Sequence, residues 1–244
     1  MAYGRMALIY DRLMRDAPYD DWVSFTEKHL TKKNADILEL GCGTGEITLR
    51  LAEKGHRVTG VDVSGDMLTV ANEKAAEALN IKWLRQDIRS LEGLENFDCV
   101  VSYCDVLNYM NTHTDLLRVF HHAFEAIKPG GCFIFDVHSI EHLSRDMAGE
   151  TFAEVYDDIS YIWFCNEGDR INQVEHDLTF FIEENGVYER FDEYHYQTGY
   201  AMADLNALLN ETGFEHIQAF ADFSGRKAMD DSAGDRLFFV CEKS

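Results

Sequence analysis

Asp36-Ile37-Leu38-Glu39-Leu40-Gly41-Cys42-Gly43-Thr44-Gly45-Glu46 holds three signals in one short stretch. Asp36 to Leu40 is an apolar run ended by glycine, the pattern of a buried strand in a parallel sheet. Gly41, Gly43 and Gly45 follow at alternate positions, and Ile47 to Lys54 reads as a helix. A strand, a glycine turn and a helix make a cradle. The missing side chains let a ligand approach the backbone, and the free N–H groups of the helix N-terminus face it. A dinucleotide-binding turn has the order G-x-G-x-x-G and would need glycine at position 46. Glu46 stands there, where a carboxylate favours the helix but repels a pyrophosphate. The turn therefore suits a ligand that keeps ribose and adenine and lacks phosphates.

The chain beyond it keeps a strand–helix rhythm. Arg57 to Asp62 is a second strand pattern, and its terminal carboxylate lies twenty-one residues after Gly41. That spacing sets an acid at the neighbouring strand tip, within reach of both hydroxyls of a ribose. The alternative is that Asp62 helps to cap the next helix, although Ser64 is the better N-cap, with Asp66 in the first turn. Ile81 to Gln86 is a third strand pattern, tipped by Asp87, and Phe97 to Tyr103 a fourth. The loop Cys104 to Asn111 follows, with Asn108 and Tyr109 as substrate-side candidates. Leu116 to Ile127 is an amphipathic helix stopped by Lys128-Pro129-Gly130-Gly131. Cys132 to Val137 is the fifth strand, tipped by Asp136-Val137-His138-Ser139. Alternating elements of this kind predict a parallel sheet with its crevice beyond the carboxyl ends of the strands. Ala201 to Thr212 is a helix ended by Gly213, and Phe214 to Phe220 and Arg236 to Cys241 are the last strand patterns.

The order Glu39-x-Gly41-x-Gly43-x-Gly45 resembles the first motif of the class I S-adenosylmethionine (SAM)-dependent methyltransferases of small-molecule type. The resemblance implies a Rossmann-like, seven-stranded, mostly parallel sheet with helices on both faces, closed by an antiparallel hairpin. It implies SAM as cofactor, S-adenosylhomocysteine as product and a small-molecule acceptor. The cofactor set it points to is Tyr10, Glu39, Gly41, Cys42, Gly43, Gly45, Asp62, Val63, Met67, Asp87, Ile88 and Tyr103. Asp87 would take the exocyclic amine of adenine and the Ile88 N–H a ring nitrogen, with Met67 packed under the ring. Tyr10 and Tyr103 could face the sulfonium by cation–π attraction. Tyr109, Asp136 and His138 are the candidates for a general base. The acceptor atom (N, O or C) stays open. A SAM-binding regulator and a carrier of modified SAM are alternatives, and a nicotinamide-dependent oxidoreductase is disfavoured by Glu46.

Between residues 146 and 199 the rhythm changes. Val174, His176, Leu178, Phe180 and Ile182 alternate with polar residues, Asn185-Gly186 is a hairpin signal, and Val187 to Gln197 returns as the partner. Ile159 to Cys165 is another strand candidate. This inserted antiparallel unit leaves from a strand tip, so it is expected to be a substrate lid on a domain made of residues 1–145 and 200–244. An insert so placed resembles those of small-molecule N-methyltransferases, which favours an amine acceptor. Glu175, Asp177, Asp192 and Glu193 could then hold an ammonium group. Residues 1 to 30 hold Tyr3, Tyr10, Tyr19 and Trp22. Pro18 splits them into two helical patterns, with Leu8, Leu13 and Met14 on one face and Trp22, Phe25 and Leu30 on the other.

Composition narrows the partners. Twenty-two Lys and Arg stand against 44 Asp and Glu, a formal net charge of −22. That removes the basic footprint needed for nucleic acid or an anionic membrane. Six cysteines without a C-x-x-C read as reduced core thiols, and with no leader or spanning run they predict a cytoplasmic protein. His138 and His142 stand four apart, but no remote third ligand accompanies them, so no metal is expected. A monomer or a homodimer through the inserted sheet fits equally.

Overall fold

The computed structural model describes residues 6–77 and 79–244, and Tyr3 lies outside them. In chain order the elements are α1 (Ala7–Leu13), α2 (Tyr19–His29), β1 (Asp36–Leu40), α3 (Glu46–Glu53), β2 (Arg57–Asp62), α4 (Gly65–Lys74), β3 (Ile81–Arg85), β4 (Phe97–Ser102), α5 (His113–Ala126) and β5 (Ile127–His138). Then come α6 (Ile140–His142), which runs into a π turn, and β6 (Thr151–Val155), β7 (Ile159–Glu167), β8 (Gln173–Glu184) and β9 (Val187–Thr198). The chain ends with α7 (Met202–Thr212), β10 (Glu215–Ala221), β11 (Arg226–Lys227) and β12 (Arg236–Glu242).

The main sheet runs β11-β10-β12-β5-β4-β1-β2-β3. Strands β1 to β5 are mutually parallel, and β12 and β10 close the sheet antiparallel. The seven expected strands are present, and the two-residue β11 extends the edge. Strand order reverses between β1 and β4, which makes the crevice at their carboxyl ends the topological switch point. The strands are buried on both faces because two helical layers cover them. Leu38, Leu40 and Phe135 pack with α5 and α7 on one side; Ile37, Val101 and Phe238 pack with α2 and α3 on the other.

The inserted unit is a second sheet in the order β6-β7-β8-β9. Its β8–β9 hairpin turns on Asn185 and Gly186, both at positive φ (56° and 80°), as a two-residue turn of the I′ kind requires. Strand β6 has no alternating apolar signal and was not legible: all five of its residues are exposed. The expected stop at Lys128 to Gly131 ends α5 but lies inside β5, because Gly130 and Gly131 pair their backbone with Lys243. In α1 it is Ile9, rather than Leu8, that turns inward, packing against Ile159, Leu178 and Phe180; Leu8 is 72% exposed. All six cysteines are free thiols, and five of them are buried.

Helix α1 is fastened to both sheets. Asp11 accepts from Lys74 at 2.5 Å and from the hydroxyl of Thr44 in the glycine turn. Arg12 reaches across to Asp158 ahead of β7, at 2.5 and 2.9 Å.

Candidate active site

The carboxyl ends of the parallel strands open into a cavity of about 590 Å³. Gly41, Gly43 and Asp62 line one end of it, and Tyr161, Trp163 and Phe180 of the second sheet line the other. The three glycines, all at positive φ, serve different ends. A Cβ on Gly41 would come 2.6 Å from Val106, and one on Gly45 2.6 Å from Trp83. One on Gly43 would meet nothing within 4 Å. The turn is thus sealed against its own protein on two sides and open over Gly43, which is the room an adenosyl group pressed on the backbone needs.

Asp62 borders this space. Its Oδ2 accepts the Gly43 N–H at 2.9 Å and its Oδ1 the Ser64 N–H at 2.8 Å. Burial raises its pKa, and these backbone bonds oppose the rise. A carboxylate so held has lone pairs to spare for two ribose hydroxyls. Ser64 itself caps α4 through the Met67 N–H at 3.3 Å. Cys42, Val63, Met67 and Ile88 line the same end. Asp87 also lines it, but its carboxylate is engaged by the Arg89 side chain at 2.6 to 3.1 Å and by the Arg89 N–H at 2.9 Å. Tyr10 and Tyr103 both border the cavity; Tyr103 is fully buried and shares a 2.6 Å bond with the Thr26 hydroxyl, so only its ring is available. Glu46 is neutralised by Arg50 and by Lys74.

Glu39 lies buried under the turn, bonded to the Thr48 hydroxyl. Burial pushes its pKa up to about 8, against the Thr48 bond that lowers it. A carboxyl with a raised folded pKa keeps a proton that the unfolded chain has lost, so stability drains away between about pH 4.5 and pH 8. Glu39→Gln is neutral throughout. In urea denaturation it is expected to flatten that part of the profile, gaining on the wild type between about pH 4.5 and pH 8 and holding that gain at higher pH. Parallel profiles for the two proteins would show that Glu39 is ionised in the fold.

The far end of the cavity is polar. Cys104 and Asp105, just after β4, both hold left-handed φ (57° and 55°). Side-chain-bearing residues there cost about 1–3 kcal/mol each and persist only where the surroundings fix them. Here the Asp105 N–H donates to Asp136 Oδ1 at 2.9 Å and the Asn108 N–H to the Asp105 carbonyl at 2.9 Å. Arg236 of β12 joins the two carboxylates, Nη1 to Asp136 at 2.9 Å and Nη2 to Asp105 at 3.0 Å. His138 Nε2 lies 3.3 Å from Asp105 Oδ1, and its Nδ1 is buried with no hydrogen-bond partner among the described residues. Two carboxylates face one guanidinium, so this pole carries a net negative charge when His138 is neutral.

The structure separates the three base candidates. His138 and Tyr109 line the cavity. Asp136 does not: it is fully buried, and it accepts from Trp22 Nε1 at 2.6 Å as well as from Arg236 and the Asp105 N–H. A carboxylate with those donors anchors the pole from below and has no path to a bound molecule. Asn108 is likewise a strut, its amide spent on the Thr198 carbonyl at 3.0 Å and on the His138 N–H at 2.9 Å.

The family model described as "Methyltransferase domain" matches residues 37–131, from β1 into β5. The methyltransferase homologue YqeM of Bacillus subtilis (strain 168) is 41% identical over 245 residues, covering 100% of this chain and 98% of its own. A crystal structure of an S-adenosylmethionine-dependent methyltransferase from Clostridium acetobutylicum ATCC 824 superposes with a TM-score of 0.86 at 29% identity, covering 98% of both chains. The chain belongs to the class I SAM-dependent methyltransferases. The fold is shared more widely: the sugar N-methyltransferase KedS8 from Streptoalloteichus sp ATCC 53650 superposes at a TM-score of 0.78 with 17% identity, covering 100% of this chain and 94% of that one.

SAM is the cofactor of this enzyme class, and the open cradle over Gly43 beside Asp62 fits it. The acids expected to hold an ammonium on the methyltransferase's second sheet are placed otherwise. Asp192 binds Arg190 and the Thr179 hydroxyl, and Glu175 and Asp177 lie on the opposite face of β8 from His176, Leu178 and Phe180. None of the four lines the cavity among the described residues. At the polar end the cavity is lined instead by Asp105, which sequence reasoning passed over along with Arg236, His176 and Gln197. The sequence signals for these were weak: an aspartate in a loop, an arginine opening a strand, and two polar residues alternating with apolar ones. Among the described residues no helix is long and apolar enough to cross a membrane.

Proposed function

We propose that this methyltransferase methylates the nitrogen of a small amine, with S-adenosylhomocysteine as the second product. The observation that supports it is a single cavity with an adenosyl cradle at one end and a net negative, histidine-bearing pole at the other. A cationic acceptor is attracted to that pole, and a chain of formal net charge −22 offers no footprint for nucleic acid. Residues 146–199 act as the substrate lid, since Tyr161, Trp163, Leu178 and Phe180 wall the acceptor end and exclude water.

The bound cofactor supplies a methyl group already activated by its sulfonium. The protein's tasks are then to orient an in-line approach and to free the amine lone pair. An ammonium arriving at the pole gives its proton to His138 Nδ1, which has no partner among the described residues, while Asp105 holds Nε2–H and stabilises the imidazolium. Tyr109, on the lining of the same cavity, positions the acceptor, and Asp87 exchanges Arg89 for the adenine amine.

Calorimetric titration with SAM, S-adenosylhomocysteine and NAD comes first, and only the two sulfur ligands are expected to bind. A screen with methyl-labelled SAM, amines first, then identifies the acceptor. His138→Gln is expected to lower methyl transfer by about a hundredfold or more while leaving SAM affinity unchanged. Labelling of alcohols or carbon acids in preference to amines would overturn the nitrogen assignment.

A further inference from the structure

Four side chains run from the second sheet into the polar pole in a line whose direction is fixed at both ends. Trp163 Nε1–H, on β7, is a donor only and lies 3.0 Å from His176 Nδ1 on β8. That nitrogen must therefore accept, and a neutral imidazole then carries its proton on Nε2. His176 Nε2 is 3.1 Å from Gln197 Oε1 on β9, which orients the amide. Gln197 Nε2 in turn donates to Asp105 Oδ2 at 2.6 Å. An ionised carboxylate accepts only, so every bond in the chain has one possible sense. His176 and Gln197 are both buried, and burial also lowers the His176 pKa to about 4.

We propose that Gln197 and His176 are positioning residues, through which the second sheet holds Asp105 in place. With Oδ2 tied to Gln197, Oδ1 is left facing His138 Nε2 and Arg236 Nη2. The second sheet therefore does more than wall the acceptor: it sets which His138 nitrogen keeps its proton. This rests on the reading of His138 as the proton acceptor. An amide is required at position 197 because the site needs an acceptor toward His176 and a donor toward Asp105. A carboxylate has no donor for Asp105, and an apolar side chain has neither.

The groups facing His176 are Trp163 and Cys165 from β7, Gln197 and His195 from β9, Asp105 from the β4 tip and His138 from β5. Those facing His138 are Asp105, Arg236, His176 and the tilted ring of His142. Long-range 1H–15N spectra of the full chain with 15N-labelled histidine, taken between about pH 5 and 8, read each tautomer directly. His176 is expected to stay neutral and protonated on Nε2 across that range, with His138 also on Nε2 in its neutral form. Gln197→Glu is expected to move the His176 titration upward into the window, because its Nε2 then faces a carboxylate. Gln197→Met is expected to abolish the single His138 tautomer while leaving SAM affinity unchanged. His176 protonated on Nδ1 in the wild type would overturn the proposal, as would a His138 spectrum unmoved by Gln197→Met. The wild-type spectrum decides the direction of the chain even if a variant does not fold. Should His138→Gln keep full methyl transfer, the base assignment falls on its own, and the tautomer result separates that failure from this one.

Discussion

Arg236→Met is expected to destabilise the enzyme by about 3–5 kcal/mol, the cost of leaving buried charge without its partner. Arg236 touches both Asp105 and Asp136, and its guanidinium also lies 5.4 Å from the centre of the Trp22 ring. Arg236→Lys keeps the charge but loses the rigid planar fork whose two nitrogens each hold one carboxylate, so an intermediate loss is expected. The pH dependence gives the sign. Burial would raise the Asp105 pKa, but His138 and Arg236 outweigh it and hold the carboxyl well below the usual range. Its contribution is therefore complete above the unfolded value near 3.8 and is lost as the pH falls below that. In Arg236→Met the same carboxylates are buried without the guanidinium between them, so protonation relieves the fold and the gap to wild type narrows on acidification. Urea denaturation at neutral and at mildly acidic pH measures both. A loss under about 1 kcal/mol at neutral pH would show that the pair is hydrated and that the pole carries no buried charge.

The second large effect is on the cofactor. Asp62→Ala is expected to weaken SAM binding by about 1.5–3 kcal/mol, roughly tenfold to a hundredfold in Kd. The variant loses the charge-assisted bonds to a ribose and also the 2.9 Å tie that holds the Gly43 N–H under the open part of the cradle. Asp62→Asn sharpens the test. Its amide keeps the shape, but an –NH2 must face either the Gly43 or the Ser64 N–H, so two donors meet. Isothermal titration of both variants is expected to show weaker SAM binding. Unaltered affinity in Asp62→Ala would confine Asp62 to supporting the turn.

Much of this protein is local, and what is local was legible. Strand β1, the glycine turn and the cap of α4 follow from residues within a few positions of one another. The apolar runs are continuous because both faces of the sheet are covered. Asn185-Gly186 fixes a hairpin by its own backbone preference. Strand β6 escaped because an exposed edge strand imposes no apolar period. Asp136 was misplaced as a candidate base for a different reason: its position at a strand end is visible in the sequence, but the burial and the three donors around it come from α2, β12 and the turn after β4.

The sequence alone determined the parallel sheet, the adenosyl cradle and the acid at the second strand tip, since strand period, glycine and helix capping act over short spans of chain. Only the tertiary structure decided the polar pole of the cavity. Asp105, Arg236, His176 and Gln197 come from the turn after β4, from β12, β8 and β9, and Arg236 stands 131 positions after Asp105 in the sequence numbering. Nothing in the local chemistry of an arginine at a strand start shows which carboxylates it will meet. That is set by strand order across the sheet and by the second sheet folding back over it, where burial turns ordinary polar residues into a directed chain of hydrogen bonds.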